Sequence, residues 1–311
     1  MKGFAVRVLR KIRQYLPRQK ATETLLHNYD MLEKVLLNQG KMFEELYSAK
    51  DAEALSDYEW KIFSQWGEDG IIQFLIREVE IKNKTFIEFG VEDFSESNCR
   101  YLLMSSDWQG FVIDGSAENM KRLQGSHYYW KHDLQSISAF IDKENINELL
   151  EKSEFDRDLG ILSVDLDGND YHILNAITGF DPRIIISEFN PYFGKDRAIT
   201  VPYDPLFYRA EKHYSNLYFG ASVRALEFTL QEKGYTLVGT GMMGNNAYFV
   251  RDDLMTDKLS MLSKNAINFN GYCREGRDIN GRLNYLRGDA RLQEIRGLPV
   301  INVLTGLEER I

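Results

Sequence analysis

From about residue 56 onward, short apolar runs alternate with stretches whose apolar positions recur every three or four residues. The runs are "TFIEFGV" (85–91), "GFVIDGS" (110–116), "HYYWKH" (127–132), "GILSVDLD" (160–167) and "RIIISEFN" (183–190). Each reads as a strand. Between them, helical spacing predicts helices near 96–107, 117–124, 144–152 and 171–178, and "GEDGIIQFLIREVE" (67–80) precedes the first strand as an amphipathic helix. Such alternation implies parallel strands joined by right-handed crossovers, with helices on both faces. The unbroken apolar character of "RIIIS" and "GILSV" suits strands buried on both sides. A helix over 219–233 ends at Gly234, and two further runs, "YTLVGT" (235–240) and "NAYFVR" (246–251), follow. Only "GMMGN" separates them, too short for a parallel crossover, so they form an antiparallel hairpin. The expected fold is α/β, a Rossmann-like sheet of five parallel strands plus a C-terminal hairpin, with one reversed strand among seven.

The first 55 residues follow another pattern. Residues 1–20 place Phe4, Val8, Leu9, Ile12 and Leu16 at helical spacing among seven basic residues and no acid. A basic amphipathic helix of this kind lies on an anionic membrane surface or packs on its own body. In 21–55, Leu25, Tyr29, Leu32, Leu36, Gln39, Phe43 and Leu46 step alternately by 4 and 3. This heptad seam permits a short self-associating coiled coil, hence a homo-oligomer through 21–50, or a helix folded back on the domain. The α/β domain occupies 56–255. An extension over 256–311 carries "YCREGRDINGRLNYLRGDARL" and "GLPVINVL"; it packs against the sheet edge or closes over the site, with Arg274 and Arg277 as acceptor contacts.

Composition narrows the partners. Once the N-terminal twenty residues are set aside, 31 of the 38 Lys and Arg face all 47 acids, a balance of −16, so the body has no electrostatic reason to hold nucleic acid. No run approaches the ~18 apolar residues that span a bilayer, and no signal-peptide pattern is visible. Cys99 and Cys273 alone support neither a disulfide framework nor a cysteine zinc site. A cytoplasmic protein, peripheral to the inner membrane through residues 1–20, is the expectation.

"GTGMMG" (239–244) matches the glycine spacing of a dinucleotide fingerprint, but strand-like "NNAYFV" follows where a helix must open. These glycines read as a hairpin turn. The first βα turn is the better site, because ligands of open parallel sheets bind beyond the carboxyl ends of the strands. Glu88 and Gly90 close the first strand, and Asp114, Gly115 and Ser116 close the second. Asp114 is placed to accept hydrogen bonds from ribose hydroxyls. Glu88, in place of a run of glycines, suits a cationic ligand better than a pyrophosphate. S-adenosylmethionine, with a sulfonium, an amino group and a ribose, meets that description; Glu88 as a mere cap of the following helix is the plainer reading.

The fourth and fifth strand ends add Asp165, Asp167, Asn169, Asp170 and His172, then Glu188 and Asn190. So many acids repel unless a cation or a shared proton relieves them. Two roles are open: general base for an acceptor hydroxyl, or ligands of a hard divalent ion such as Mg²⁺ through Asp165 and Glu188. Asp165 and Glu188 are the catalytic candidates, supported by Asp167 and Asn190. Asn169 and Asp170 read as turn and cap residues, and His172 as part of a helix face.

The stretches "SQWGED" (64–69), "IEFGVEDF" (87–94), "ESNCRYLL" (96–103), "DWQGFVIDGS" (107–116) and "LSVDLDGNDY" (162–171) resemble, in order and spacing, the motifs of FkbM-type S-adenosylmethionine-dependent methyltransferases. The resemblance runs over about 190 residues, from Phe63 to Arg251. It implies a class I methyltransferase sheet, Glu88 and Gly90 beside the methionine moiety, Asp114 on the ribose, Gln65, Glu68 and Asp69 at the pocket edge, and Asp133 reaching the adenine amine. It is nearest to a branch found with bacterial surface-polysaccharide genes, which implies O-methylation of a sugar or glycan hydroxyl. Glu92 and Phe94 depart from the family pattern, and Phe94 is placed to narrow the cofactor hollow. That departure motivates a rival, a non-catalytic scaffold on the same fold. The acid cluster motivates another, a different metal-dependent sugar-modifying enzyme.

Overall fold

Strands that read as unbroken apolar runs become the middle of the sheet. The computed structural model describes residues 29–263, 267 and 276–311. Helix α1 covers 29–48 and α2 Glu68–Glu78. Then come β1 (Thr85–Phe89), α3 (Arg100–Ser105), β2 (Gln109–Asp114), α4 (Ala117–Gln124), β3 (Leu134–Ser138), α5 (Ile146–Glu151), β4 (Ile161–Val164), α6 (Asp170–Ala176) and β5 (Ile184–Glu188). A long connection holding β6 (Ile199–Thr200) and α7 (Arg209–Lys212) leads to α8 (Val223–Glu232) and the hairpin β7 (Tyr235–Thr240) and β8 (Asn246–Arg251). Finally α9 (Asp257–Leu262), α10 (Asp289–Glu294), β9 (Pro299–Asn302) and β10 (Glu308–Arg310) follow.

The main sheet has the order β3-β2-β1-β4-β5-β8-β7. Its first five strands pair in parallel, and β8 runs antiparallel to both neighbours, so it is the single reversed strand. Every residue of β1 and β4 is buried, which is why neither shows the alternation of a half-exposed strand. One apolar cluster, including Phe86, Val112, Ile161 and Ile186, covers one face; Ile87, Phe111, Leu162 and Phe249 belong to the cluster on the other.

The third strand lies elsewhere than its aromatic run suggested. Residues 127–133 form turns, and β3 is the polar segment Leu134–Ser138. As an edge strand it pairs only with β2 and needs little apolar content. The aromatic run is spent on packing: Tyr128 is buried in the core, and Tyr129 rests against it.

Helix α1 is folded back on the domain. Leu36, Leu37, Phe43 and Tyr47 pack against a cluster of Trp60, Ile62, Phe63 and Tyr101. Gly40 lets the helix approach so closely that a Cβ there would come within 2.4 Å of the Tyr101 ring. Of the heptad seam, Tyr29, Leu32 and Leu46 stay exposed, while Leu25 lies outside the described residues. Residues 1–20 lie outside them too, and no helix among those described is long and apolar enough to cross a membrane.

The described part of the C-terminal stretch packs. β6 pairs with β9, and β9 with β10, in a second, antiparallel sheet. Ile295 and Val300 share a core with Tyr192, Phe193, Leu217 and Phe219 of the long connection. That connection borders the site, so the extension braces it from behind. Arg277 donates to the carbonyl of Gly281 and stands off the cavity; Arg274 lies outside the described residues.

Candidate active site at the strand tips

Strand order reverses around β1 and β4, so the loops leaving them diverge and open a crevice at the carboxyl end of the sheet. A cavity of about 740 Å³ occupies it. Its floor depends on one glycine. Gly90 has φ +69, and a Cβ there would lie 1.8 Å from the carbonyl oxygen of Asp165. Only glycine allows the tips of β1 and β4 to touch.

Glu88, one residue before the end of β1, lines the cavity but is buried. Its carboxylate accepts from the Ser97 hydroxyl at 2.6 Å and from the amides of Asn98 at 2.8 Å and Cys99 at 3.1 Å. The carboxylate therefore caps the entry to α3, which is why that helix starts later than its apolar spacing suggested. Burial pushes the Glu88 pKa up, against the pull of these bonds. Asp114, closing β2, accepts from the amide of Glu92 at 2.9 Å and that of Ser116 at 2.7 Å, and it lines the cavity with Gly115. Ser116 caps α4 by accepting from the Asn119 amide.

Several residues placed at this pocket from the sequence do other work. Gln65 lines the cavity, but Glu68 and Asp69 do not. One oxygen of Asp69 gathers the amides of Ile62, Phe63 and Ser64 and the Ser64 hydroxyl, at 2.6–3.0 Å, and burial raises its pKa to about 6. Glu68 accepts from the Trp66 amide and the Asn246 side chain. Both acids fold the loop that presents Gln65 and Trp66. Asp133 precedes β3 and so stands at the opposite end of the sheet, where it accepts from the Gln109 side chain. The exit of β3 is Ala139–Ile141, and those residues line the cavity instead. Phe94 is fully buried in the core, 6.3 Å from the Tyr128 ring, and does not line the cavity.

Across Gly90, carboxylate oxygens of Asp165, Asp167 and Glu188 lie within 4.8 Å of one another. Asp167 takes a positive φ of 52, unusual for a residue with a Cβ. Arg209 donates to it at 2.9 Å and to the carbonyl of Asn216 at 2.7 Å, with its guanidinium 3.7 Å over the Phe219 ring. Burial, then the neighbouring acids, push the pKa values of Asp165 and Glu188 well up; Arg209 pulls both down. Two such carboxyls hold protons as a pair rather than singly. One oxygen of Glu188 is buried without a hydrogen-bond partner among the described residues.

Asn169 and Asp170 serve the turn. Asp170 accepts from the amides of Leu166 and Gly168, with its pKa raised by burial to about 6, and Asn169 donates to the Asp204 carbonyl. His172 belongs to α6, and its Nε2 lies 2.8 Å from the Val201 carbonyl of the long connection. Asn190 departs from its expected supporting role at the acids. It is fully buried, donates to the carbonyls of Leu217 and Phe219 and accepts from the Tyr192 amide, so it pins the long connection.

Sequence reasoning missed Arg209 and Asn246. Arg209 comes from an irregular connection some forty residues beyond the acids, where no period announces it; a lone arginine within "PLFYRAEKHY" is the only hint. Asn246 sits in the hairpin set aside as a decoy. Strand pairing places it directly opposite Glu188, and the hairpin turn contributes Met243 and Gly244 to the cavity wall. Counting residues along the antiparallel β5–β8 pair could have found it.

The chain matches no protein-family model and no curated protein. Among solved structures it is similar to a putative O-methyltransferase from Klebsiella pneumoniae, at 13% identity over 70% of this chain and 90% of that one, with a TM-score of 0.38. It is similar also to the O-methyltransferase from Bacillus cereus in complex with SAH, at 12% identity over 70% and 91%, TM-score 0.38. A third is the N-terminal domain of EvdMO1 with SAH bound, at 11% identity over 60% and 80%, TM-score 0.37. At such scores the site itself has to carry any functional reading.

Proposed function

We propose that the protein is an S-adenosylmethionine-dependent O-methyltransferase of the FkbM type, acting on a sugar or glycan hydroxyl with the help of a divalent cation at the cytoplasmic face of the inner membrane. One observation carries this reading. Among the described residues, the cavity at the strand reversal is lined by seven carboxylates, Glu88, Glu92, Glu96, Asp114, Asp165, Asp167 and Glu188, and by one guanidinium, Arg209. A phosphate-bearing cofactor or a nucleic-acid backbone needs the opposite charge, whereas a sulfonium suits this one. The volume lies within the range of small-molecule sites.

S-adenosylmethionine supplies an electrophilic methyl group when bound. Asp114, whose oxygens each keep acceptor capacity beyond one backbone amide, would hold the ribose hydroxyls, with Gly90, Gln65 and the Ala139–Ile141 segment around the rest. Asp165 and Glu188 hold and move the proton of the acceptor hydroxyl; Arg209 fixes Asp167 and offsets the repulsion within the trio. Trp66, Phe207 and Tyr208 line the cavity and would give an acceptor ring aromatic side chains to lie against. The carboxylates of Asp165, Asp167 and Glu188, the last with one oxygen unpartnered among the described residues, are the hard donors Mg²⁺ prefers, and an ion held there would acidify the acceptor hydroxyl.

Asp114→Ala is expected to weaken S-adenosylhomocysteine binding by roughly ten- to a hundredfold, the loss of hydrogen bonds to a charged acceptor, as read by calorimetry. Unchanged affinity would place the ribose elsewhere. Chelator is expected to abolish turnover and added Mg²⁺ to restore it, and Mg²⁺ alone should raise the melting temperature of the wild type but not of Glu188→Gln. Full turnover in chelator would leave the acids as general bases only.

A further inference from the structure

The loop 90–98 gives the cavity wall Gly90–Glu92 and Glu96–Asn98 and is tied to the body at its start, middle and end. Its start is tied by the Glu92 amide to Asp114, and its end by Ser97, Asn98 and the following Cys99 to Glu88. Between these ties, Glu92 and Phe94 take φ values of +48 and +64, which residues with a Cβ adopt only under constraint. The middle is held by the buried Phe94 side chain, by the exposed Lys61–Glu96 ion pair at 3.3 Å, and from within the protein by Arg100. Its Nη1 donates to the carbonyl of Ser95 at 2.9 Å and to that of Phe94 at 3.4 Å.

Arg100 is only 3% exposed, and its guanidinium lies 4.3 Å from the centre of the Phe63 ring and 4.4 Å from that of Tyr128. A buried guanidinium needs an anion. Glu33 of α1, 6% exposed, supplies it at 3.4 Å, and the other oxygen of Glu33 meets His127 Nε2 at 2.8 Å. Sixty-seven residues separate the two charges in sequence, so the pair exists only while α1 is seated on the body.

We propose that Arg100, anchored by Glu33, is a positioning residue for the cofactor loop, so that ligand binding at the strand tips depends on the seating of α1. The ligand half of this statement rests on the methyltransferase reading; the mechanical half does not. When Glu33 is neutralised, the guanidinium loses its counter-charge and the strained middle of the loop loses the buried hydrogen bonds to its carbonyls. The ties at Asp114 and Glu88 remain, so the effect falls on 93–96 and on the cavity wall they carry.

Hydrogen exchange of the ligand-free full chain tests the mechanical half. In Glu33→Gln, amides 93–96 should exchange faster while those of β1, β4 and β5 stay as in the wild type. Arg100→Lys, which keeps the charge but loses the fork that joins the loop carbonyls on Nη1 to Glu33 on Nη2, should behave alike. Glu44→Gln is the control, since it takes the same charge off α1 at another position, where the carboxylate accepts from the Tyr101 hydroxyl at 2.6 Å; it should leave 93–96 unchanged. In Glu33→Gln the KM for S-adenosylmethionine should rise roughly two- to thirtyfold, the span of measured couplings between distant sites, with kcat at saturation unaltered. Wild-type exchange in Glu33→Gln, or equal acceleration in Glu44→Gln, would overturn the proposal. Should the wild type bind no S-adenosylhomocysteine at all, the functional reading falls while the exchange result still decides the clamp.

Discussion

Asp165→Asn is expected to cut turnover by about 10²–10⁴-fold, the usual worth of a positioned proton acceptor, and at the same time to make the protein more stable. Both effects come from one arrangement. Asp165 sits at the tip of β4 near Asp167, Asp170 and Glu88, and burial, then these neighbours, raise its pKa. A carboxyl whose folded pKa is raised favours the folded state fully below its unfolded pKa, near 3.8 for Asp165 and 4.5 for Glu188. That contribution is lost as pH climbs through the folded value. An amide at 165 removes the penalty, so the melting temperature in chelator at neutral pH should rise by about 2–4 °C for each kcal/mol relieved. The wild type should lose stability between mildly acidic and neutral pH, and the variant should lose less. The wild type's kcat/KM should fall as pH is lowered, because the proton acceptor is filled. A melting point that drops together with turnover would mean that Asp165 supports the fold rather than the chemistry.

Gly90→Ala should do the reverse and damage both fold and site. A Cβ at this position meets two obstacles: a left-handed φ of +69, worth about 1–2 kcal/mol against any residue with a Cβ, and the Asp165 carbonyl oxygen 1.8 Å away. The second cannot be relieved without parting the tips of β1 and β4. A loss of roughly 3–5 kcal/mol in urea melts is expected, in the range reserved for strain and overpacking at special positions, together with loss of cofactor binding. Gly234→Ala, just past the end of α8, is the comparison, because φ there is +82 but nothing lies within 4 Å of the added carbon. It should cost only the backbone strain. Equal losses at the two positions would show that the contact between β1 and β4 tips is not what Gly90 secures.

How much of this was legible before the structure depended on how local the cause was. β1, β2, β4 and β5 stand close to where their apolar runs placed them, because strands buried on both faces have to be written as such runs. The hairpin was legible from the length of its turn. β3 was not, since an edge strand with one partner needs no apolar run, and the aromatic stretch before it belongs to the core around Arg100. That single shift moved Asp133 to the wrong end of the sheet. Glu68, Asp69 and Asn190 show a second limit. Sequence tells that a carboxylate or amide stands near a strand tip, but not whether backbone amides have already claimed it, as those of Ile62, Phe63 and Ser64 claim Asp69. Arg209 and Glu33 show a third, for their roles depend on partners tens of residues away that no periodicity connects.

The most direct measurement is a crystal structure of the protein grown with S-adenosylhomocysteine. The account predicts the ribose on Asp114, the adenine beside the Ala139–Ile141 segment, and the sulfur turned toward Asp165 and Glu188 across Gly90. A nucleoside bound anywhere else, or turned so that its sulfur faces away from those two acids, would contradict it.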